Sequence, residues 1–592
     1  MQDQDPNYRV TSVAPSEIEI EILDPAAFKG DSYPKLAIGS YLRISDDDGL
    51  SIIAVVKSYR LKAFDSEQPE AIPRPPSFVL QAQPVGSLDD EKKFKRGGQQ
   101  IAIPPTHVEI AGDEVLRAIY NPDDPLRQYS FGNLVQDSSI PVMIDGNRFF
   151  GKHIAVIGAT GSGKSCTVAK ILQEATKQTD DQNHRSVLNN SHIVLFDLHG
   201  EYATAFPDAN RISVASLSLP YWLMNSEELE EMFIETGERN SYNQISQFKR
   251  AVTINKQRHN PGIAEITYDS PVYFSIREVF RYIKNQNSAT KDAETSALKI
   301  KNTANLQGVP EEFWLFEEIE FEEKVRGKVN DGPYYGEFHG FVSRLETKLA
   351  DERLAFLLKP RKTDGSEYST DDLELVLRQL LGYKSLNETN VTVVDLSAIP
   401  FEVLSIVVAL ATRLIFDFAL YFKRIKGAGE EVPILLVYEE AHRYVPNDQG
   451  ARFSSVRRAI ERVAKEGRKY GLSLMIVSQR PSEISETIFS QCNSFVAMRL
   501  TNPADQSYVR RLLPDELAGI TDALPSLEQR ECILLGDAAY IPTLVRVGDL
   551  ENTPDSADIK FHKEWAKDWY AAQFEKVVAN MAKAAPGAPK AQ

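Results

Sequence analysis

The sequence predicts an α/β protein centred on a parallel sheet with helices on both faces. Five compact apolar runs, at residues 153–157, 192–196, 391–394, 433–437 and 472–477, end near polar or glycine residues, with helical stretches between some of them. Strands that are apolar throughout belong to sheets buried on both faces, and alternation with helices signals parallel order. Upstream, many short strand-like segments separated by turns indicate a small β-barrel. With 592 residues the chain exceeds a single core and divides into several domains.

In chain order, residues 1–125 form the expected barrel. Segments 10–13, 18–23, 41–44, 52–58 and 77–84 are apolar or alternating between Asp, Gly and Pro turns, and 101–103 and 107–110 follow Gly97-Gly98. No catalytic cluster shows itself there, so assembly or partner docking is its expected role. Residues 126–216 and 386–550 are the two parts of the sheet core, separated by a helix-rich insertion at 217–385. Within it, Phe338, Phe341, Val342, Leu345 and Leu349 follow the spacing of an amphipathic helix. Asn225 with Glu228 resembles a capping box, 371–381 reads as a short helix, and the polar stretch 288–307 reads as a loose loop. The tail, 551–592, holds one expected helix at about 559–581, then an Ala/Pro/Gly/Lys-rich end expected to be disordered.

Composition narrows the function. Hydrophobic residues are 42% and charged residues 26%, a globular balance. The first ten residues are polar and acidic, unlike a secretory leader. The apolar stretch 399–422 is interrupted by Glu402, Arg413 and Asp417, which favours a core helix over a membrane span. Cys166, Cys492 and Cys532 lack metal-ligand spacing, and a reducing cytoplasm is expected. A formal charge of −17 argues against a surface that coats nucleic acid, although a ring needs only a basic lining.

The chemistry gathers at strand ends, where open α/β sheets place their ligands. Gly158, Ala159, Thr160, Gly161, Ser162, Gly163, Lys164 and Ser165 match G-x-x-x-x-G-K-[ST] between a strand and a helix, with Cys166 next in the helix. Such a loop turns backbone N–H groups and a helix N-terminus onto phosphate oxygens. ATP is the expected nucleotide, with Lys164 on the β- and γ-phosphates and Ser165 on Mg²⁺. Residues 433–438 deliver two adjacent carboxylates, Glu439 and Glu440. Glu439 is assigned to Mg²⁺ and Glu440 to the attacking water, because one carboxylate cannot do both. Gln479, at the end of the 472–477 strand, is placed to sense the γ-phosphate. Between residues 452 and 469, seven Lys or Arg, including Arg452 and Arg468, stand against Glu461 and Glu466. They either line a pore, act on a neighbour's nucleotide, or form a solvated face. Residues 197–202 end the second strand, and either shape the site or cap the turn.

Together these residues resemble the HerA family, of bacterial type, within the wider HerA/FtsK group of P-loop ATPases. The match is carried by residues 152–165, 196–202, 219–225, 395–397, 466–471 and 478–484, over roughly 130–550. The resemblance implies a RecA-like core, a barrel crown, a helical insertion and a C-terminal brace. It also implies a homo-hexameric ring driven by ATP along double-stranded DNA. An effector enzyme (a nuclease or a sirtuin-like NADase) would sit on the barrel, in DNA-end processing or anti-phage defence. Arg468 matches the family's trans-acting arginine. Two departures stand out: Lys152 occupies a place where an arginine is expected, and Glu439 one where Asp is more usual. Two other readings compete: a conjugative or chromosome-partitioning pump, and a nucleotide-controlled scaffold that regulates a defence effector with little translocation.

Overall fold

The computed structural model describes residues 8–22, 38–45, 51–61, 78–89, 93–96, 107–120, 127–177, 190–234, 241–383, 389–425, 431–447, 454–512, 521–556, 559–569 and 573–584. The N-terminal strands are β1 (Tyr8–Val13), β2 (Ile18–Ile22), β3 (Tyr41–Ser45), β4 (Ser51–Leu61), β5 (Phe78–Leu88), β6 (Phe94–Arg96) and β7 (His107–Ile110). They form one antiparallel sheet in the order β1-β2-β5-β4-β3-β7, with β6 on β5. Alternation sorts its faces: Ile18, Ile20, Ile44, Ile52, Ala54 and Leu80 build a cluster to which no described helix contributes. Among the described residues this cluster draws only on the strands of the sheet itself, whose outer strands β1 and β7 are not hydrogen-bonded to each other. Segment 101–103 lies outside the described residues.

The opposite face supplies Tyr41, Ile53, Val55 and Leu88 to the cluster beneath the central sheet. Helix α1 (Asp113–Tyr120), which the sequence reading missed, joins them through Leu116, Ile119 and Tyr120. The Tyr120 hydroxyl donates to Tyr41 Oη at 2.7 Å and lies 3.1 Å from Thr543 Oγ1. This buried polar chain ties the N-terminal sheet to the central one.

After β8 (Gln128–Tyr129), β9 (Gly132–Leu134), β10 (Ile144–Asp145) and α2 (Gly146–Phe150) come β11 (His153–Ile157), α3 (Lys164–Thr176), β12 (His192–Asp197) and β13 (Asn210–Ile212). The insertion carries α4 (Ser226–Phe233), α5 (Ser241–His259), α6 (Ile276–Ser288), β14 (Thr290–Asp292), β15 (Val329–Asp331), α7 (His339–Ala350), α8 (Ala355–Leu358) and α9 (Leu373–Leu381). The core resumes with β16 (Val391–Asp395), α10 (Phe401–Arg424), β17 (Ile434–Tyr438), α11 (Ser454–Glu466), β18 (Leu472–Ser478), α12 (Glu486–Phe489), β19 (Cys492–Met498), α13 (Pro503–Leu512), β20 (Glu531–Gly536) and β21 (Thr543–Val547). The sheet order is β13-β16-β12-β17-β18-β11-β19-β20-β21-β9. It is parallel from β13 to β19 and antiparallel beyond. All five apolar runs of the sequence lie in its parallel part.

The insertion departs from expectation at one point. The polar stretch after Ser288 is not loose, because β14 pairs antiparallel with β15 and Thr290 Oγ1 donates to the Glu322 carbonyl at 2.8 Å. Its polar side chains satisfy backbone groups locally, so the segment orders without an apolar face. The predicted capping box is present, with Asn225 and Glu228 exchanging hydrogen bonds at 2.9 Å. The amphipathic spacing is also realised in α7, where Phe341 and Leu345 are fully buried. In the tail, the single expected helix is two short ones, α14 (Phe561–Trp565) and α15 (Phe574–Ala584).

The apolar stretch at 399–422 is α10, with Val407, Val408, Ala409 and Leu410 inaccessible. It is the one described helix long and apolar enough to cross a membrane, and it packs in the core. Its Arg413 forks onto Glu228, with Nε 3.0 Å from Oε1 and Nη2 2.8 Å from Oε2, and Nη2 also donates to the Leu223 carbonyl at 2.6 Å. Removing Glu228 leaves a largely buried guanidinium with only Asp417, at 3.5 Å, to balance it. Glu228→Ala should thus cost about 3 kcal/mol or more, read as a lower denaturation midpoint. Adding Arg413→Met should recover part of that loss.

Candidate active site

Three neighbouring strands set the site's geometry. Because β18 lies between β17 and β11, the loop after β11 and the carboxylates after β17 face each other across the end of β18. The loop is pinned by backbone bonds on three sides. Gly158 N donates to the Ser478 carbonyl at 3.2 Å, Ala159 N to that of Arg499 at 2.7 Å, and Arg530 N to that of Ser162 at 3.0 Å. Two glycines are required here. A Cβ at Gly158 would stand 2.6 Å from Ser162 Oγ, and Gly163 sits at φ +95° with Arg530 N only 3.2 Å from a Cβ position. The Ser162 hydroxyl is buried without a hydrogen-bond partner, a polar group left for something the loop encloses.

The loop's side chains already reach their opposites. Thr160 Oγ1 donates to Gln479 Oε1 at 2.6 Å, so the residue after β18 touches the phosphate loop directly. Lys164 Nζ donates to the Ala159 carbonyl at 3.3 Å. Burial lowers the Lys164 pKa, opposed by the charges of Glu440, Glu439 and Glu201. Ser165 Oγ donates to Glu201 Oε2 at 2.8 Å. Cys166 is a free thiol in the first turn of α3.

Glu439 and Glu440 are 4% and 9% exposed, and the Oε2 of each is buried without a hydrogen-bond partner. Burial first, and then the Asp197 carboxylate beside it, push Glu439 up to about 10. Glu440 adopts φ 47°, ψ 48°, a left-handed conformation that costs a residue with a side chain roughly 1–2 kcal/mol. Strain of this kind persists only where the surroundings impose it, and it concentrates at working sites. His442 Nδ1 lies 3.3 Å from Glu440 Oε2 and 3.2 Å from Ser478 Oγ. Burial lowers the His442 pKa, against the opposing pull of Glu440.

The segment 197–202 is resolved into two roles. Asp197, fully buried, caps the turn after β12: it accepts from Gly200 N at 2.8 Å, Glu201 N at 3.2 Å and Tyr202 N at 2.9 Å. Glu201 instead points its carboxylate to the phosphate loop. Sequence reading gave Glu201 and His442 no role of their own. The signal available was position alone, each lying just past the carboxyl end of a core strand.

Arg468 does not join these residues. It lies in the turn before β18, close enough to His153, at the amino end of β11, to help lower that histidine's already burial-depressed pKa. The length of β18, seven residues at about 3.3 Å each, separates it from its own chain's phosphate loop. Of the other cations in that stretch, Arg457 and Lys465 pair with Glu461, Arg458 with Glu227, and Arg462 with Asp417 and the face of Phe416. These four cations are each ion-paired, while Arg452 lies outside the described residues. Lys152 pairs with Asp537.

The donor set fits a nucleotide with a divalent cation: a pinned glycine cradle, a buried lysine, a hydroxyl at a helix N-terminus, and unpartnered buried carboxylate oxygens. No described group of three His, Cys, Asp or Glu converges tightly enough to hold a metal unaided. That suits Mg²⁺, which phosphates and waters help to coordinate.

The raised Glu439 fixes a pH dependence. Its pKa is about 10 in the folded chain against an ordinary 4.5, so between those values the folded state keeps a proton that the unfolded chain has lost. Stability contributed by this group therefore falls as pH rises from about 4.5 towards 10. Glu439→Gln, neutral at every pH, should flatten that decline and raise the melting midpoint at pH 8–9; a series of thermal melts checks it.

Comparison with known proteins agrees with the geometry. The family model described as "Helicase HerA, central domain" matches residues 129–330, from the strands before the loop into the insertion. The DNA double-strand break repair helicase HerA of Sulfolobus acidocaldarius is 27% identical over 469 residues, 78% of each chain. The probable DNA double-strand break repair helicase HerA of Methanocaldococcus jannaschii is 23% identical over 570 residues, 92% of this chain and 97% of that one. Among solved structures, the plasmid coupling protein TrwB in complex with ADP and Mg²⁺ covers 75% of this chain and 93% of its own at 12% identity, with a TM-score of 0.43, too loose a likeness to carry an argument. The chain is thus similar to the HerA helicases over most of its length, and with its nucleotide-binding edge intact it is an ATP-hydrolysing enzyme of the helicase/translocase class.

Proposed function

We propose that this chain is a subunit of a homo-hexameric ring that hydrolyses ATP to move along double-stranded DNA. The observation that carries the reading is the meeting of the phosphate loop with Glu440 across β18, while an exposed Arg468 stands at the far edge of the same strand. The double-strand break repair helicases among its relatives support DNA as the track.

In this reading Lys164 holds the β- and γ-phosphates, and the backbone amides of residues 158–165 cradle them. Ser165 and Glu439 hold Mg²⁺, which when bound neutralises the charge developing between the phosphates. Glu440, buried and with His442 Nδ1 3.3 Å from its Oε2, takes the proton of the attacking water. Gln479, bonded to Thr160, registers the γ-phosphate. The ring works in the cytoplasm, and its N-terminal sheet receives a nuclease or sirtuin-like NADase for DNA-end processing or anti-phage defence.

Lys164→Ala should abolish ATP hydrolysis with assembly retained, because the phosphate charge loses its fixed counter-ion. Glu440→Gln should bind ATP yet turn over at least 100-fold more slowly, roughly the scale of lost general-base catalysis. Phosphate release and ATP-analogue titration measure the two, and normal turnover in either variant contradicts the roles given.

Arg468 is proposed to complete the neighbouring subunit's site, where a guanidinium at the developing γ-phosphate charge raises rates by about 10³-fold or more. Arg468→Ala and Lys164→Ala chains, each inactive alone, should then recover part of the ATPase when mixed. A mixture of Lys164→Ala with Glu440→Gln should recover nothing, since both lesions lie in one site. If the Arg468 mixture stays as inactive as that control, with subunit exchange verified, the arginine does not act across subunits.

A further inference from the structure

A serine hydroxyl that ligates a cation offers it a lone pair, and its single proton must go to another acceptor. In this chain the acceptor is defined: Ser165 Oγ donates to Glu201 Oε2 at 2.8 Å. Glu439 instead packs beside Asp197, with its Oε2 unpartnered. We propose that Glu201 is a third carboxylate of the nucleotide–metal site, orienting the Ser165 hydroxyl and accepting hydrogen bonds from the water shell of Mg²⁺. The assignment rests on the ATP-hydrolysing reading of the same site.

Glu201 is built to hold a position. Its amide donates to Asp197 Oδ1 at 3.2 Å, and its carbonyl accepts from Asp555 N at 2.8 Å. The turn that presents it is closed on both sides by Asp197, which also caps the amides of Gly200 and Tyr202. A carboxylate delivered from so fixed a backbone has little freedom beyond its own side-chain torsions, and those are directed at the first turn of α3. Mg²⁺ keeps several of its waters in such sites, and each water needs an acceptor. The described residues provide no ready-made metal cage, so acceptors around a phosphate-bound ion are what this chain can contribute. Outer partners of this kind typically change metal affinity by about 10–100-fold.

The test uses the full chain with ADP and Mn²⁺, whose electron paramagnetic resonance signal reports the bound ion directly. Glu201→Ala should weaken Mn²⁺ binding in the presence of ADP about tenfold, while affinity for a fluorescent ADP analogue in EDTA stays at the wild-type value. Glu201→Gln, whose amide oxygen still accepts the serine proton, should fall between the two. Unchanged Mn²⁺ affinity in Glu201→Ala overturns the assignment. An equal loss of ADP affinity in EDTA also overturns it, because the residue would then only support the loop. If the wild-type chain binds no ADP at all, the nucleotide reading fails, and this assignment fails with it.

Discussion

Lys164 stands among Glu201, Glu439 and Glu440, in a pocket where burial weakens its hold on the proton while the three carboxylates strengthen it. The surrounding architecture exists to keep these groups together out of water. Burial, together with the repulsion of like charges this close, leaves a proton on Glu439. The parallel order β17-β18-β11 forces the juxtaposition, since three strands of one direction bring their carboxyl ends to a common edge. The rest of the fold supplies support: the buried faces of the sheet, the insertion anchored by Arg413 on Glu228, and backbone bonds to Ser478, Arg499 and Arg530 that fix the loop.

Much of this edge was legible before any coordinates. The G-x-x-x-x-G-K-[ST] signature and the apolar run ending in Glu439-Glu440 are local patterns, and each encodes its own geometry. Residues 210–212 and the β19–β21 region were missed because their strands are short or lie beyond the chemistry-bearing motifs. Glu201 was visible as a letter but not as a partner of Ser165, because that contact spans 36 residues and depends on where α3 crosses the sheet. The left-handed backbone at Glu440 was likewise hidden, since no composition rule sets glutamate there. The stretch 288–307 misled for a related reason. Polarity there signals side chains serving the backbone rather than an absence of structure.

The N-terminal sheet illustrates a division of faces that one-dimensional alternation implies but cannot assign. One set of side chains closes on itself, and the other packs beneath the phosphate-loop strand. Tyr41, Tyr120 and Thr543 form a hydrogen-bonded chain across that junction, and burial raises both tyrosines' pKa values. The sheet is thus joined rigidly to the antiparallel edge of the core, three strands away from the loop.

The chain beyond β21 folds back along α3 instead of leaving the core at once. Glu551 N donates to Gln173 Oε1 at 3.2 Å, Gln173 Nε2 to the Asn552 carbonyl at 2.8 Å, and Thr204 Oγ1 to the Thr553 carbonyl at 2.8 Å, before Asp555 reaches Glu201. Mechanically this is a cord laced through the nucleotide edge and emerging at the C-terminus. Tension applied there, by a tether to a surface or a heavy fusion partner, is transmitted to the helix that begins with Lys164 and to the carboxylate beside Ser165. A handle attached at the amino end would load the N-terminal sheet instead.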